Sequence, residues 1–265
     1  MRNVNDGLAE LLAEMKAYGE ANHVPIININ GLAVLEKAVA ARKPRRVLEI
    51  GTAIGYSTLY IAANAAPEVE IVSLELSEER AAEARAFVDR SPYGQQIRII
   101  TGDAGENIQK LTGFFDMVFI DAAKGQYPDY FRKIYPLLAE DALVVADNVL
   151  FRGYVRGDVP APRRFRTIVK RLREYIAMVT DSGEFQTEIY ENGDGLAVSQ
   201  RLAGKGNVEN NMEDKKCINC KHLRTGRYML CDKKRKNKEV IDIFNSSCRK
   251  YEWNEVELKK SNKRK

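Results

Sequence analysis

Histidine is almost absent from this 265-residue chain, with only His23 and His222 present and no HExxH pair. That excludes histidine-rich zinc hydrolases and argues against a Ser/His/Asp relay. No stretch approaches the roughly 20 uninterrupted apolar residues of a membrane span, so a membrane protein is not expected. The N-terminus, MRNVNDGLAELLAEMK, lacks the basic start and apolar block of a secretory signal, which points to the cytoplasm. Cysteine is missing from everything before Cys217; all four (Cys217, Cys220, Cys231, Cys248) lie in the last part of the chain. In a reducing compartment they read as metal ligands rather than disulfides.

What is present falls into two parts. Residues 1–205 carry 25 Lys+Arg against 28 Asp+Glu, whereas residues 206–265 carry 17 against 9, a division hidden in the net charge of +5. The expected organisation is one large domain over 1–203, a linker over 204–214, and a basic four-cysteine module over 215–265. Within the first part, β-rich runs at 46–50, 70–74, 97–101, 117–120 and 142–146 alternate with helical stretches near 57–65, 77–89, 106–111 and 127–137. Two helices precede them, Asn30 being a candidate N-cap for the second, and a further helix fits 163–176. Segments 188–190 and 195–201 flank Asn192-Gly193 and read as a hairpin at the sheet edge. The pattern predicts an α/β fold, a mostly parallel sheet with helices on both faces.

Ligands of such sheets gather at the carboxyl ends of the strands. The first strand runs into Glu49-Ile50-Gly51-Thr52-Ala53-Ile54-Gly55-Tyr56-Ser57, a GxxxG rather than a GxGxxG spacing. Glu49 would repel a pyrophosphate but not the cationic methionine part of S-adenosylmethionine (SAM). Glu75, 24 residues after Gly51, is placed to take ribose hydroxyls, and Asp103-Ala104 lie in reach of an adenine. The competing reading is a generic nucleotide fold with solvated acids at its strand ends. The fourth and fifth strands end in Asp121 and in Asp147-Asn148; two carboxylates and an amide oxygen suit Mg²⁺ better than zinc, though strand-end aspartates also cap helices.

Taken together, VLEIGTAIGYSTLYIA, Glu75, FIDAAKGQYPDYF and VVADNVLFRGYV resemble the metal-dependent O-methyltransferases of the catechol and caffeoyl-coenzyme A type, over roughly residues 20–202. The resemblance implies a class I, Rossmann-like fold with a seven-stranded sheet, SAM and Mg²⁺ as cofactors, and a homodimer. It implies SAM contacts from Glu49, Gly51, Ser57, Glu75, Asp103, Ala104 and Asp121, with Ile27 as a further contact. Mg²⁺ would be held by Asp121, Asp147 and Asn148. Lys124 matches the family lysine that serves as base or orienting group beside the substrate hydroxyl; a solvated lysine is the alternative.

The stretch from Arg152 to Arg173 holds eight basic residues and one acid. Arg152, Arg156, Arg163, Arg164 and Arg166 are candidate RNA contacts, with Tyr154 and Phe165 for stacking. A coenzyme A thioester would use the same arginines, and a solvated basic helix face is the remaining alternative. Residues 1–202 most resemble the bacterial tRNA 5-hydroxyuridine methyltransferases, which implies tRNA as partner and 5-methoxyuridine at the wobble position as product. Oxygens on C4 and C5 of that base imitate a catechol, and an unpaired wobble base enters a pocket without melting a duplex. Small-molecule catechol or caffeoyl-coenzyme A chemistry is the alternative substrate class. In the tail, Cys-x2-Cys-x10-Cys-x16-Cys suits a structural Zn²⁺, with His222 able to replace one ligand and free thiols or an iron–sulfur cluster as the alternatives, and the basic residues around it suit RNA docking.

Overall fold

The computed structural model describes residues 4–203 and, beyond them, the backbone of two short paired strands, Leu223–Arg224 and Leu230–Cys231. The chain divides into two compact units, Met1–Gly206 and Asn207–Lys265. The proposed linker and the side chains of the four expected zinc ligands, Cys217, Cys220, Cys231 and Cys248, lie outside the described residues.

Two helices, α1 (Val4–Ala21) and α2 (Ile29–Arg42), lead into β1 (Arg46–Ile50). Helices and strands then alternate: α3 (Tyr56–Asn64), β2 (Glu70–Glu75), α4 (Glu78–Val88), β3 (Ile97–Thr101), α5 (Ala104–Ile108), β4 (Phe115–Ile120), α6 (Tyr127–Ile134) and β5 (Leu138–Asp147). After a long connection come α7 (Arg166–Thr180), β6 (Phe185–Tyr190) and β7 (Leu196–Arg201). The strand order is β3-β2-β1-β4-β5-β7-β6, parallel throughout except for β7, which is antiparallel to both neighbours. The order reverses between β1 and β4, so their exit loops diverge and leave a crevice there.

Side chains alternate across the sheet with the period of two that a pleated strand imposes. Leu48, Ile50, Val72, Leu74, Val118 and Ile120 face one core, closed by Phe131 of α6 and Leu172 of α7. Val47, Ile71, Met117 and Phe119 face a second core, closed by Leu12, Leu35 and Leu59 of α1–α3. Burial on both faces is why these strands read as continuous apolar runs in the sequence.

Three local expectations are corrected. The N-cap of α2 is Asn28 rather than Asn30: its backbone is extended, and its side-chain oxygen accepts from Asn30 N and Gly31 N, both at 3.0 Å. Helix α5 starts two residues before the expected stretch, because Asp103 caps it by accepting Glu106 N at 2.9 Å. The hairpin does form, but only β6 lies on the edge. Strand β7 inserts beside β5, pairing Leu143–Asp147 with Leu196–Gln200, and so buries Leu196, Ala197 and Ser199. Among the described residues, no helix is long and apolar enough to cross a membrane.

Candidate active site

The exit loops of β1 to β5 surround a cavity of about 620 Å³. Gly51 explains how two of them come so close. Its φ is +103°, and a Cβ there would fall 2.1 Å from the Asp121 carbonyl, so only glycine lets the β1 and β4 loops meet.

At the β1–β3 end, Ile27, Gly51, Ser57, Glu75, Asp103 and Ala104, the expected SAM contacts, line the wall together. Glu75 is held by its own neighbours: Ala53 N and Ser77 N donate to its two carboxylate oxygens at 2.8 and 3.0 Å. Each carboxylate oxygen has capacity to accept a further hydrogen bond, and a pair of such acceptors is what a ribose diol needs. Glu49 is not on the wall. It is fully buried behind Ser57, taking hydrogen bonds from Ser57 Oγ and Ser73 Oγ at 2.6 Å and from Thr58 Oγ1 at 2.5 Å. Burial pushes its carboxyl up to about 7, against the pull of the three hydroxyls. In the structure, therefore, Glu49 reaches the cavity through hydroxyls: directly by Ser57, and by Ser73 through Thr52.

At the β4–β5 end, Asp121, Lys124, Asp147 and Asn148 line the same cavity. Ile120 and Ala146 are register partners, so the residues that follow them emerge side by side. Burial, and then the charge of Asp121, pushes the Asp147 carboxyl up to about 7; burial also raises Asp121. The positive charge of Lys124 works in the opposite direction on both. Two crowded, desolvated carboxylates with an amide beside them are a donor set for a hard divalent cation. The set contains only two acids, and among the described residues no cluster of three or more His, Cys, Asp or Glu suited to a metal occurs. Tyr127 Oη, wholly buried, donates to the carbonyls of Asp147 (2.9 Å) and Ile120 (3.3 Å), tying the ends of β4 and β5 together.

Sequence reasoning missed several wall residues. Leu76, directly after the strand-end acid, is 72% exposed and lines the cavity. An apolar side chain following such an acid was the available signal. Tyr130 and Asp194 also reach the wall. Asp194 had no local signal, since Asn192-Gly193-Asp194-Gly195 reads only as a turn.

The candidate RNA-binding arginines lie elsewhere. Arg163 and Arg164 belong to a 3₁₀ turn before α7, and Arg166 opens the helix. Arg152 and Arg164 lie over the ring of Phe165, which stacks on Tyr154. Arg156 pairs with Glu191 at 2.7 Å. Arg166, Lys170 and Arg173 share a separate groove with Tyr154 and Val159. Part of the basic run is structural: Arg171 pairs with Asp129 and Glu174, and Arg173 donates to the carbonyls of Val155 and Tyr154.

A family model described as O-methyltransferase matches residues 5–202. A catechol O-methyltransferase of Mycobacterium tuberculosis is 32% identical over 197 residues, spanning 71% of this chain and 87% of its own. A catechol O-methyltransferase of Niastella koreensis is 33% identical over 171 residues, 60% of this chain and 77% of its own. Among solved structures, an O-methyltransferase of Streptomyces achromogenes involved in tomaymycin synthesis, in complex with SAM, matches with TM-score 0.66 at 25% identity, covering 73% of this chain and 90% of that one. A methyltransferase of Podospora anserina bound to S-adenosylhomocysteine matches with TM-score 0.63 at 26% identity, over 74% and 88%. With nearly the whole described domain matched, the chain belongs to the O-methyltransferase family, as a SAM-dependent enzyme.

Proposed function

We propose that the chain methylates one hydroxyl of a small molecule carrying two adjacent oxygens, as a catechol does, using SAM and Mg²⁺. The observation that carries this reading is the union, in one cavity, of a strand-end acid suited to a ribose (Glu75) with two buried carboxylates, an amide and a lysine (Asp121, Asp147, Asn148, Lys124). Both relatives described above as 32–33% identical are named for catechol. Ser57, Glu75, Asp103, Ala104, Ile27, Gly51 and Asp121 would hold SAM, with Glu49 orienting Ser57 from behind. Asp121, Asp147 and Asn148 would hold Mg²⁺, whose charge favours the ionised substrate hydroxyl when it is bound. Lys124 would orient that hydroxyl or take its proton, while the walls hold the oxygen in line with the methyl–sulfur bond.

The test is a panel of catechol, caffeic acid and caffeoyl-coenzyme A incubated with SAM and Mg²⁺, with products identified by mass. Methylated product from at least one supports the reading; none from any removes it. In the same assay K124M is expected to lower kcat by about two orders of magnitude, the usual contribution of a positioned acid or base. A rate near wild type across pH would remove Lys124 from the chemistry.

A second reading, methylation of 5-hydroxyuridine at the tRNA wobble position, is favoured by the basic run: among the described residues Arg152, Arg163, Arg164 and Arg166 have no ion pair, and two of them flank stacked aromatic rings. Formation of 5-methoxyuridine in tRNA carrying 5-hydroxyuridine, with no turnover of the panel, would reverse the order of the two readings. A homodimer, a cytoplasmic location and a Zn²⁺ held by Cys217, Cys220, Cys231 and Cys248 belong to the same proposal. Light scattering, localisation of the tagged protein and elemental analysis test them in turn.

A further inference from the structure

The chain leaving β5 has an unusual backbone. Asn148, Phe151 and Arg152 all have positive φ, at 54°, 35° and 57°, and Gly153 follows at 74°. Residues with a Cβ occupy that region sparsely, so a run of them needs an external hold. The hold comes from the turn between β6 and β7. Four successive N–H groups end there: Val149 N on Gly195 O (3.0 Å), Leu150 N and Phe151 N on Asp194 O (2.8 and 3.3 Å), and Arg152 N on the Asp194 carboxylate (3.0 Å). Three of these bonds end on main-chain carbonyls, and Phe151 N is shared with Asn148 O at 3.2 Å; the Asp194 side chain closes the set at Arg152, the last of the left-handed residues that carry a Cβ. The contact is close-packed, since a Cβ on Gly195 would lie 2.4 Å from Leu150 Cγ. It begins where the β5–β7 ladder ends, at Asp147 opposite Leu196, and Asp194 lines the cavity beside Asp147 and Asn148.

We infer that Asp194 is a positioning residue: its carboxylate, by holding Arg152 N where the main-chain bonds to the β6–β7 turn end, fixes the left-handed turn that starts at Asn148 and so aims that amide at the metal end of the cavity. This also gives the antiparallel β7 a purpose, because only a strand running against β5 returns its preceding turn to the carboxyl end of β5. The inference rests on the reading of Asp147 and Asn148 as cation ligands, and it predicts that acceptor position, not charge, is what matters at residue 194.

Three variants separate the two. D194N keeps an acceptor in place and loses the charge; D194E keeps the charge and displaces the acceptor by a methylene; D194A loses both. Amide hydrogen exchange at Arg152 reads the carboxylate's hold, Mn²⁺ affinity by electron paramagnetic resonance reads the metal end, and SAM affinity checks that the domain is intact. D194N is expected to keep slow exchange and near-wild-type Mn²⁺ affinity. D194E and D194A are expected to exchange fast and bind Mn²⁺ about tenfold more weakly or worse, the usual effect of losing a group that orients a ligand, with SAM affinity unchanged. Should D194A fail to fold, the D194N and D194E pair still decides. D194N as weak as D194E, wild-type exchange in D194E, or fast exchange with undiminished Mn²⁺ affinity would each overturn the inference. Failure of the wild-type chain to bind Mn²⁺ would instead remove the ligand reading, leaving exchange to judge the carboxylate's hold alone.

Discussion

At the β1–β3 end of the cavity, most wall residues are placed by their own strand and the turn that follows it. At the β4–β5 end the strand exits are held from a distance, by Tyr127 of α6 and by Asp194, 42 residues beyond the Arg152 it binds. The first end is written locally and so was readable from spacing. The second borrows its geometry from the rest of the fold.

The largest expected effect separates the ends outright. D147N is expected to lower kcat by on the order of a thousandfold, the equivalent of several kcal/mol of charge stabilisation, while SAM affinity by calorimetry stays near wild type. Equal loss of SAM binding would show that the two ends are not separable. G51A is expected to damage both at once, because its Cβ meets the Asp121 carbonyl; a loss of about 3 kcal/mol or more in urea unfolding is the expected scale for such a backbone clash.

Glu49 gives a pH-dependent comparison centred on the first end, with a smaller contribution from the charge of Asp121. Folding raises its carboxyl from 4.5 to about 7, so the folded chain keeps a proton that the unfolded chain has released. Stability therefore falls as pH rises through that window and the loss is complete above it. E49Q lacks this slope, and at pH 8 the difference reaches at most about 3 kcal/mol in its favour. Parallel stability–pH curves for the two proteins would contradict the burial argument. The smallest effect belongs to Y127F, which removes the tie between β4 and β5: about 1 kcal/mol of stability, read by urea unfolding, with weaker Mn²⁺ binding and unchanged SAM binding.

The legibility of the molecule follows the same division. Alternating apolar runs fixed the α/β class because each parallel strand is buried on both faces, as the paired cores on either side of Leu48 and Val47 show. Glu75, Asp103, Asp121 and Asp147-Asn148 were legible because strand ends are where such folds collect ligands. The burial of Glu49 behind Ser57 was not, since period two says which face a side chain takes but not what covers it. The insertion of β7 beside β5 was hidden for a related reason: an Asn-Gly turn announces a hairpin without saying which of its strands the sheet will take in. With that insertion unseen, Asp194 had no reason to stand out from the turn around it.

In the proposed function a divalent cation at Asp121, Asp147 and Asn148 and SAM at the Glu75 end act together on a substrate with adjacent oxygens. The most direct measurement follows transfer of a labelled methyl group from SAM to catechol with added Mg²⁺, with EDTA, and in D147N with Mg²⁺. Label on a catechol oxygen, abolished by EDTA and by D147N, is the predicted result. Transfer that survives EDTA, or that D147N leaves intact, would contradict it.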